Sequence, residues 1–250
     1  MKGEKMDKIL KLGMVILLTA VLAACNLPIR NTNIQGSGQV VSEQREVSDF
    51  NRIALEGVGD LEIVQGDVES LTIEAEDNII GKIESYVSGS TLHIGIERFI
   101  NIIPTSGITY TLTVKDLNSI EVSGYGDVYM ASLTTDRLEV EVSGGGRIAI
   151  DKLTADSLDV ELSGAGDFDL TGVVDQQEIT LSGAGSYKAA DLQSRMANID
   201  ISGAGSAQMW VTDELDVNLS GVGSLQYYGD AVVQQNISGI GKVISLGAHE

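Results

Sequence analysis

Catalysis needs reactive side chains within reach of one another, and this chain supplies few types. It holds one cysteine, Cys25, two histidines, His93 and His249, and 36 aspartates and glutamates. No nucleophile motif occurs, and no His or Cys spacing suits a zinc ion. The carboxylates remain. Two of them about 5 to 9 Å apart would serve glycoside hydrolysis, and acids with calcium or a basic residue would serve a polysaccharide lyase. They are spread over every outward phase of the chain, which weighs against one catalytic cluster, although adjacent coils could bring two together; a carbohydrate-active lyase or hydrolase is therefore the alternative to a protein without catalysis. The reading is of a non-enzyme: no catalytic residue, metal ligand or cofactor is assigned.

Cys25 has a different chemistry. Lys2, Lys5, Lys8 and Lys11 open the chain, Met14 to Ala23 are almost entirely apolar, and small residues precede the cysteine, the order of an export signal. Leu22-Ala23-Ala24-Cys25 resembles the bacterial lipobox, which implies that the thiol receives diacylglycerol and that residues 1–24 are removed. An unpaired thiol in an exported protein otherwise lacks an explanation. Acyl chains contribute about 0.8 kcal/mol per buried methylene, and more than one is needed for firm anchoring. The expected product is a domain held outside the cytoplasm on a bacterial cell membrane or outer membrane. Residues 1–24 carry four lysines against Glu4 and Asp7, so their removal takes the net charge from -20 to -22. That acidity excludes nucleic acid and anionic lipid as partners of the folded part, since both require a basic face.

The elements that must position any surface site are repeats. Ser-Gly-x-Gly begins at Ser123, Ser143, Ser163, Ser182, Ser202, Ser220 and Ser238, at spacings of 20, 20, 19, 20, 18 and 18. Its glycines are Gly124 and Gly126, Gly144 and Gly146, Gly164 and Gly166, Gly183 and Gly185, Gly203 and Gly205, Gly221 and Gly223, and Gly239 and Gly241. Before each copy apolar residues alternate with polar ones, as in Leu138, Val140, Val142 and Leu158, Val160, Leu162; a shorter run follows, as in Ile148, Ile150 and Phe168, Leu170. Period-two alternation marks strands with one buried face. About twenty residues with short strands, no helical period and no tight-hairpin dipeptide fit one coil of a parallel β-helix, with equivalent strands stacked about 4.8 Å apart. A sandwich or barrel has no reason to place one tetrapeptide at one phase of every unit. The fold class is therefore all-β, a parallel solenoid in which each coil is stable only against its neighbours.

The repeated glycines predict one shared corner, where backbone angles closed to other residues are required and stacked serines exchange hydroxyl hydrogen bonds. The residue between the glycines is mostly small and fits either an inward or an outward column. After the motif stand Asp127, Arg147, Asp167, Ser186, Ser206, Ser224 and Lys242; stacking would set Arg147 between two aspartates as a surface charge ladder. The calcium-binding nonapeptide Gly-Gly-x-Gly-x-Asp has about half this period, and aspartate follows only two of the seven copies, so Asp127 and Asp167 read as surface charges. Residues 25–38 read as a tether, and residues 39–250 as a single domain with a less regular half at 39–122 and the regular repeats at 123–245. In the first half, Gly57 and Gly59 form one more corner with Glu56 in the serine place. The 67 residues from there to Gly124 would fit about three coils.

Phe50-x-x-Ile53-x-Leu55-x-Gly57-x-Gly59-Asp60-x-x-Ile63-x-x-Gly66, followed by repeated Ser-Gly-x-Gly, resembles the bacterial family described as "putative auto-transporter adhesin, head GIN domain" over about residues 39 to 245. The resemblance implies a right-handed parallel β-helix on an exported or lipid-anchored protein, and brings no catalytic residues with it. The functional expectation is a lipid-anchored, adhesin-like binding module of the cell envelope, whose partner is an envelope protein or a glycan. Exposed aromatics such as Tyr125, Tyr129, Trp210 and Tyr228 are its candidate contacts. Self-association into a homo-oligomeric scaffold is the other structural role, because an open solenoid end presents strand edges.

Overall fold

The computed structural model describes residues 32–249. The expected signal segment 1–24, Cys25 and the start of the expected tether lie outside the described residues. The strands, in chain order, begin with β1 (Thr32–Gln35), β2 (Val40–Arg45), β3 (Arg52–Leu55), β4 (Asp60–Gln65), β5 (Ser70–Glu76), β6 (Ile83–Ser88), β7 (Thr91–Ile96), β8 (Ile100–Ile103) and β9 (Thr109–Val114). The repeats form β10 (Ser119–Val122), β11 (Val128–Met130), β12 (Leu133–Thr134), β13 (Arg137–Val142), β14 (Gly145–Leu162), β15 (Ala165–Leu181), β16 (Ala184–Ile201), β17 (Ala204–Leu219), β18 (Val222–Tyr228), β19 (Val232–Ile237) and β20 (Ile240–Gly247).

Each coil winds through three faces. On the first, β10 pairs in parallel with β13, and the stack continues through residues 157–162, 176–181, 196–201 and 214–219 to β19. The second runs from β11 through residues 148–150, 168–170, 187–189 and 207–209 to β18 and β20. A shorter third face begins with β12 against residues 153–154. The registers pair like with like: Leu138 with Leu158, Val140 with Val160, Val142 with Leu162, and Ile148 with Phe168. All eight side chains are buried, which is why alternation in the sequence becomes a continuous aliphatic column down the interior.

The N-terminal half departs from the expected three coils. β3 and β4 stack directly on β10 and β11, so the corner of Gly57 and Gly59 lies immediately next to that of Gly124 and Gly126. The intervening chain does not separate them; it folds to the far side. There β7 pairs with β3 and β9 with β4, and β6, β5 and β2 then add antiparallel strands. Phe50, Ile79, Ile80, Ile83 and Leu117 close the core at this end. Antiparallel hairpins make a sound cap because they end the parallel ladder that would otherwise recruit another coil. Part of the expected tether is ordered structure: residues 32–35 are the strand β1, paired in parallel with β8.

Glu76 ties the cap together. It is fully buried at the end of β5 and accepts hydrogen bonds from the Gly38 backbone N–H at 2.8 Å, from the Thr105 N–H at 3.0 Å, and from the Thr105 hydroxyl. These donors, the Thr105 hydroxyl foremost, hold its carboxyl below the ordinary range because they favour the charged form.

Candidate binding surface

The corner between the first and second faces is built the same way in each repeat. The backbone N–H groups of the serine and the following glycine both donate to one carbonyl of the preceding coil: Ser143 and Gly144 to Val122, Ser163 and Gly164 to Val142, Ser202 and Gly203 to Leu181, at 3.0 to 3.1 Å. Two successive donors aimed at one acceptor turn the chain sharply. The glycines are needed for room more than for unusual angles. Of the sixteen corner glycines only Gly59 and Gly146 have a left-handed φ, 131° and 143°. A β-carbon on the first glycine of each copy, from Gly124 through Gly239, would overlap the carbonyl oxygen of the glycine beneath it. The expected serine ladder does not form: among the described residues, the one corner serine hydroxyl that donates is that of Ser182, to the Leu162 carbonyl at 3.2 Å.

The column between the glycines points outward. Tyr125 is 69% exposed, Val222 58% and Ile240 77%, and Ala165, Ala184 and Ala204 are exposed between them. The result is an apolar ridge one side chain wide, flanked by exposed serines. Beside it, aspartates reach to the next coil: Asp60 accepts from the Asp127 N–H at 3.0 Å, Asp127 from the Arg147 N–H at 2.8 Å, and Asp167 from the Ser186 N–H at 3.0 Å. This corrects the expected ladder. The carboxylates of Asp127 and Asp167 bind backbone, and the Arg147 guanidinium pairs with Asp169, two residues further along the next coil. A long side chain leans along its strand, whereas a short aspartate reaches only the adjacent amide.

The first face is strongly acidic. Its outward columns run Glu121, Glu141, Glu161, Thr180, Asp200, Asn218, Asn236 and Ser119, Glu139, Asp159, Glu178, Asn198, Asp216, Gln234. Two arginines answer these acids: Arg52 lies 3.6 Å from Glu139 and Arg137 lies 3.2 Å from Asp159. Partial burial, followed by the charges of Glu121, Glu161 and Glu139, pushes the Glu141 carboxyl up. The acids thin out toward the last coil, where amides replace them.

The candidate aromatics divide. Tyr125 stands on the ridge, and Tyr129 is 44% exposed on the second face with its hydroxyl donating to Asp151 at 2.7 Å. Trp210 and Tyr228 are half-buried around His249: the Trp210 ring stacks on the imidazole at 4.0 Å and Tyr228 meets it edge-on, while His249 contacts Asp191 at 3.1 Å. These two pin the C-terminal segment. His93 is far from that cluster in the chain; it stacks on Tyr86 and contacts Glu56 at 2.9 Å. One buried polar pair escaped the sequence reading. Gln177 occupies an inward position between Leu158 and Ala197, and its Oε1 accepts the Tyr187 hydroxyl at 2.6 Å. Burial pushes the Tyr187 phenol up, and the Gln177 Nε2 has no partner. The glutamine in a run of Leu, Val and Ile was the available signal.

A filled interior, parallel coils of about twenty residues and outward columns repeating once per coil define a β-solenoid of roughly six turns. The chain belongs to the family described as "putative auto-transporter adhesin, head GIN domain", whose model matches residues 49–231. It is similar in structure to a putative adhesin from Bacteroides fragilis, at 28% identity and a TM-score of 0.81, with 85% of this chain and all of that chain covered. A putative lipid binding protein from Parabacteroides distasonis shares the fold at 24% identity and a TM-score of 0.69, covering 86% of this chain and all of the other. So does a putative adhesin from Parabacteroides merdae, at 21% identity and a TM-score of 0.67, with 86% of this chain and 99% of that one covered. None of the curated proteins matches this sequence.

Proposed function

We propose that this protein is a non-catalytic, adhesin-like binding module of the bacterial cell envelope, anchored by lipid on Cys25 and engaging an envelope protein or glycan along its outer surface. The observation that carries the reading is the ridge of Tyr125, Ala165, Ala184, Ala204, Val222 and Ile240, which stands outward while the interior beneath it is closed by aliphatic packing. A rigid row of contacts, interrupted only at Gly145 beside Tyr125, favours an extended partner laid along it, because each contact adds without further ordering cost to the protein. Aromatic Tyr125 is the natural anchor, as large rigid side chains carry much of the energy in such interfaces. Membership of a family described as adhesins supports the same role.

The test is capture of partners from intact cells by crosslinking, together with glycan-array binding, using the unaltered chain and Tyr125→Ala or Ala184→Glu. Loss of a captured partner in both ridge variants, with the fold intact, supports the reading; partners retained by both variants overturn the ridge as the contact. Metabolic labelling with a fatty acid, lost in Cys25→Ala, tests the anchor.

A further inference from the structure

Among the described residues the two long faces of the solenoid have four outer edges, and three carry a device against edge pairing. β6 contains Glu84, β2 contains Glu43 and Arg45, and β20 contains Lys242 and a register shift against β18. Charges and irregularities of this kind keep a free strand from recruiting another. The fourth edge, β19, reads Val232-Val233-Gln234-Gln235-Asn236-Ile237 and has no charge, no proline and no register shift against β17. Val232 is 70% exposed and Ile237 41%. The surroundings match: between Asp230 and Glu250 the one formal charge at neutral pH is Lys242, in a chain of net charge -20. The edge strand itself therefore carries no self-repulsion, the nearest acids being those of β17 behind it.

The backbone pattern gives the register. Ser238 donates its N–H to Leu219 of the preceding coil, and alternate residues of a parallel strand turn their N–H and C=O to opposite sides. The free groups of β19 are therefore those of Val233, Gln235 and Ile237. We propose that β19 pairs antiparallel with β19 of a second copy across a twofold axis, with Gln235 opposite the partner's Gln235 and Val233 opposite the partner's Ile237. The pairing joins the first faces of two solenoids into one sheet and covers the inward side chains of both last coils. A second copy is the occupant because an antiparallel edge is self-complementary, and because the strands that would meet carry no charge themselves, the nearest carboxylates of the face, Glu214 and Asp216, standing one strand back on β17. The N-terminal edges are charged and already end in antiparallel strands, so the assembly closes as a dimer instead of growing as a fibre. This inference does not rest on the adhesin reading.

The experiment is sedimentation velocity and light scattering on the chain from Asn26 onward, from low micromolar to near millimolar concentration, in the unaltered form, as Gln234→Lys/Asn236→Lys, and as Ile244→Lys on β20. Both outward β19 positions are exposed, and an unchanged far-UV circular dichroism spectrum confirms the fold. The expected result is a concentration-dependent dimer for the unaltered chain and for Ile244→Lys, and a monomer throughout for the double variant. A strict monomer for the unaltered chain overturns the proposal. So does a dimer that survives the β19 lysines, or one that Ile244→Lys abolishes while the β19 lysines do not.

Discussion

Gly183 sits directly above Gly164, facing it so closely that a β-carbon on Gly183 would overlap the Gly164 carbonyl oxygen, while its own N–H shares the Leu162 carbonyl with that of Ser182. The corner is thus packed backbone on backbone. Any side chain there must push two coils apart, and each coil is held by the next.

Gly183→Ala is expected to cost at least about 3 kcal/mol, since backbone cannot yield as a side chain can. Gly205→Ala, whose β-carbon would lie 3.1 Å from the Gly185 carbonyl oxygen, should cost only about 1 kcal/mol. Urea unfolding of the two variants checks the ordering; equal losses would remove close stacking as the reason for glycine.

Removal of Arg147 tests the corrected charge pairing. The Arg147–Asp169 pair is half exposed, so Arg147→Ala should cost no more than about 1 kcal/mol. Arg147→Asp adds a carboxylate beside Asp127, Asp167 and Asp169 and should lower the melting temperature further, with the excess shrinking in high salt.

The stacked glutamates of the first face predict a stabilising change. A carboxyl whose folded value is raised disfavours the charged native state, so Glu141→Gln should raise the melting temperature at pH 7. The gain should fade as the pH drops through the raised value and Glu141 takes up its proton. Parallel melts at pH 7 and pH 4 would show it.

Glu76 has the opposite sign. Its folded value is depressed, so its contribution is present above the ordinary carboxylate range and is lost as the pH falls through the folded value. Glu76→Gln should therefore destabilise the cap at pH 7 and make little difference in acid. Hydrogen exchange of the Gly38 and Thr105 amides would report the loss locally.

In the interior, Tyr187→Phe should cost about 1 to 2 kcal/mol by leaving the Gln177 carbonyl without its donor. The double variant Tyr187→Phe/Gln177→Leu should recover much of that loss, because it removes both buried polar groups together. A double-mutant cycle in urea measures the recovery.

The sequence by itself determined the coil, the apolar inward residues of the two long faces and the position of the corner, but not the inward Gln177. Alternation and a fixed tetrapeptide are local properties, and parallel stacking repeats them without change. What it misplaced were relations between residues distant in the chain: the antiparallel cap inserted after Gly66, the neighbourhood of Gly57 and Gly124, and the partner of Arg147. Two further matters only the tertiary structure decided. The role of the corner glycines follows from a carbonyl oxygen contributed by another coil, which no property of the glycine's own neighbours reveals. The outward direction of the Tyr125 to Ile240 column depends on which way the chain bends between two faces, and alternation fixes only which residues share a side.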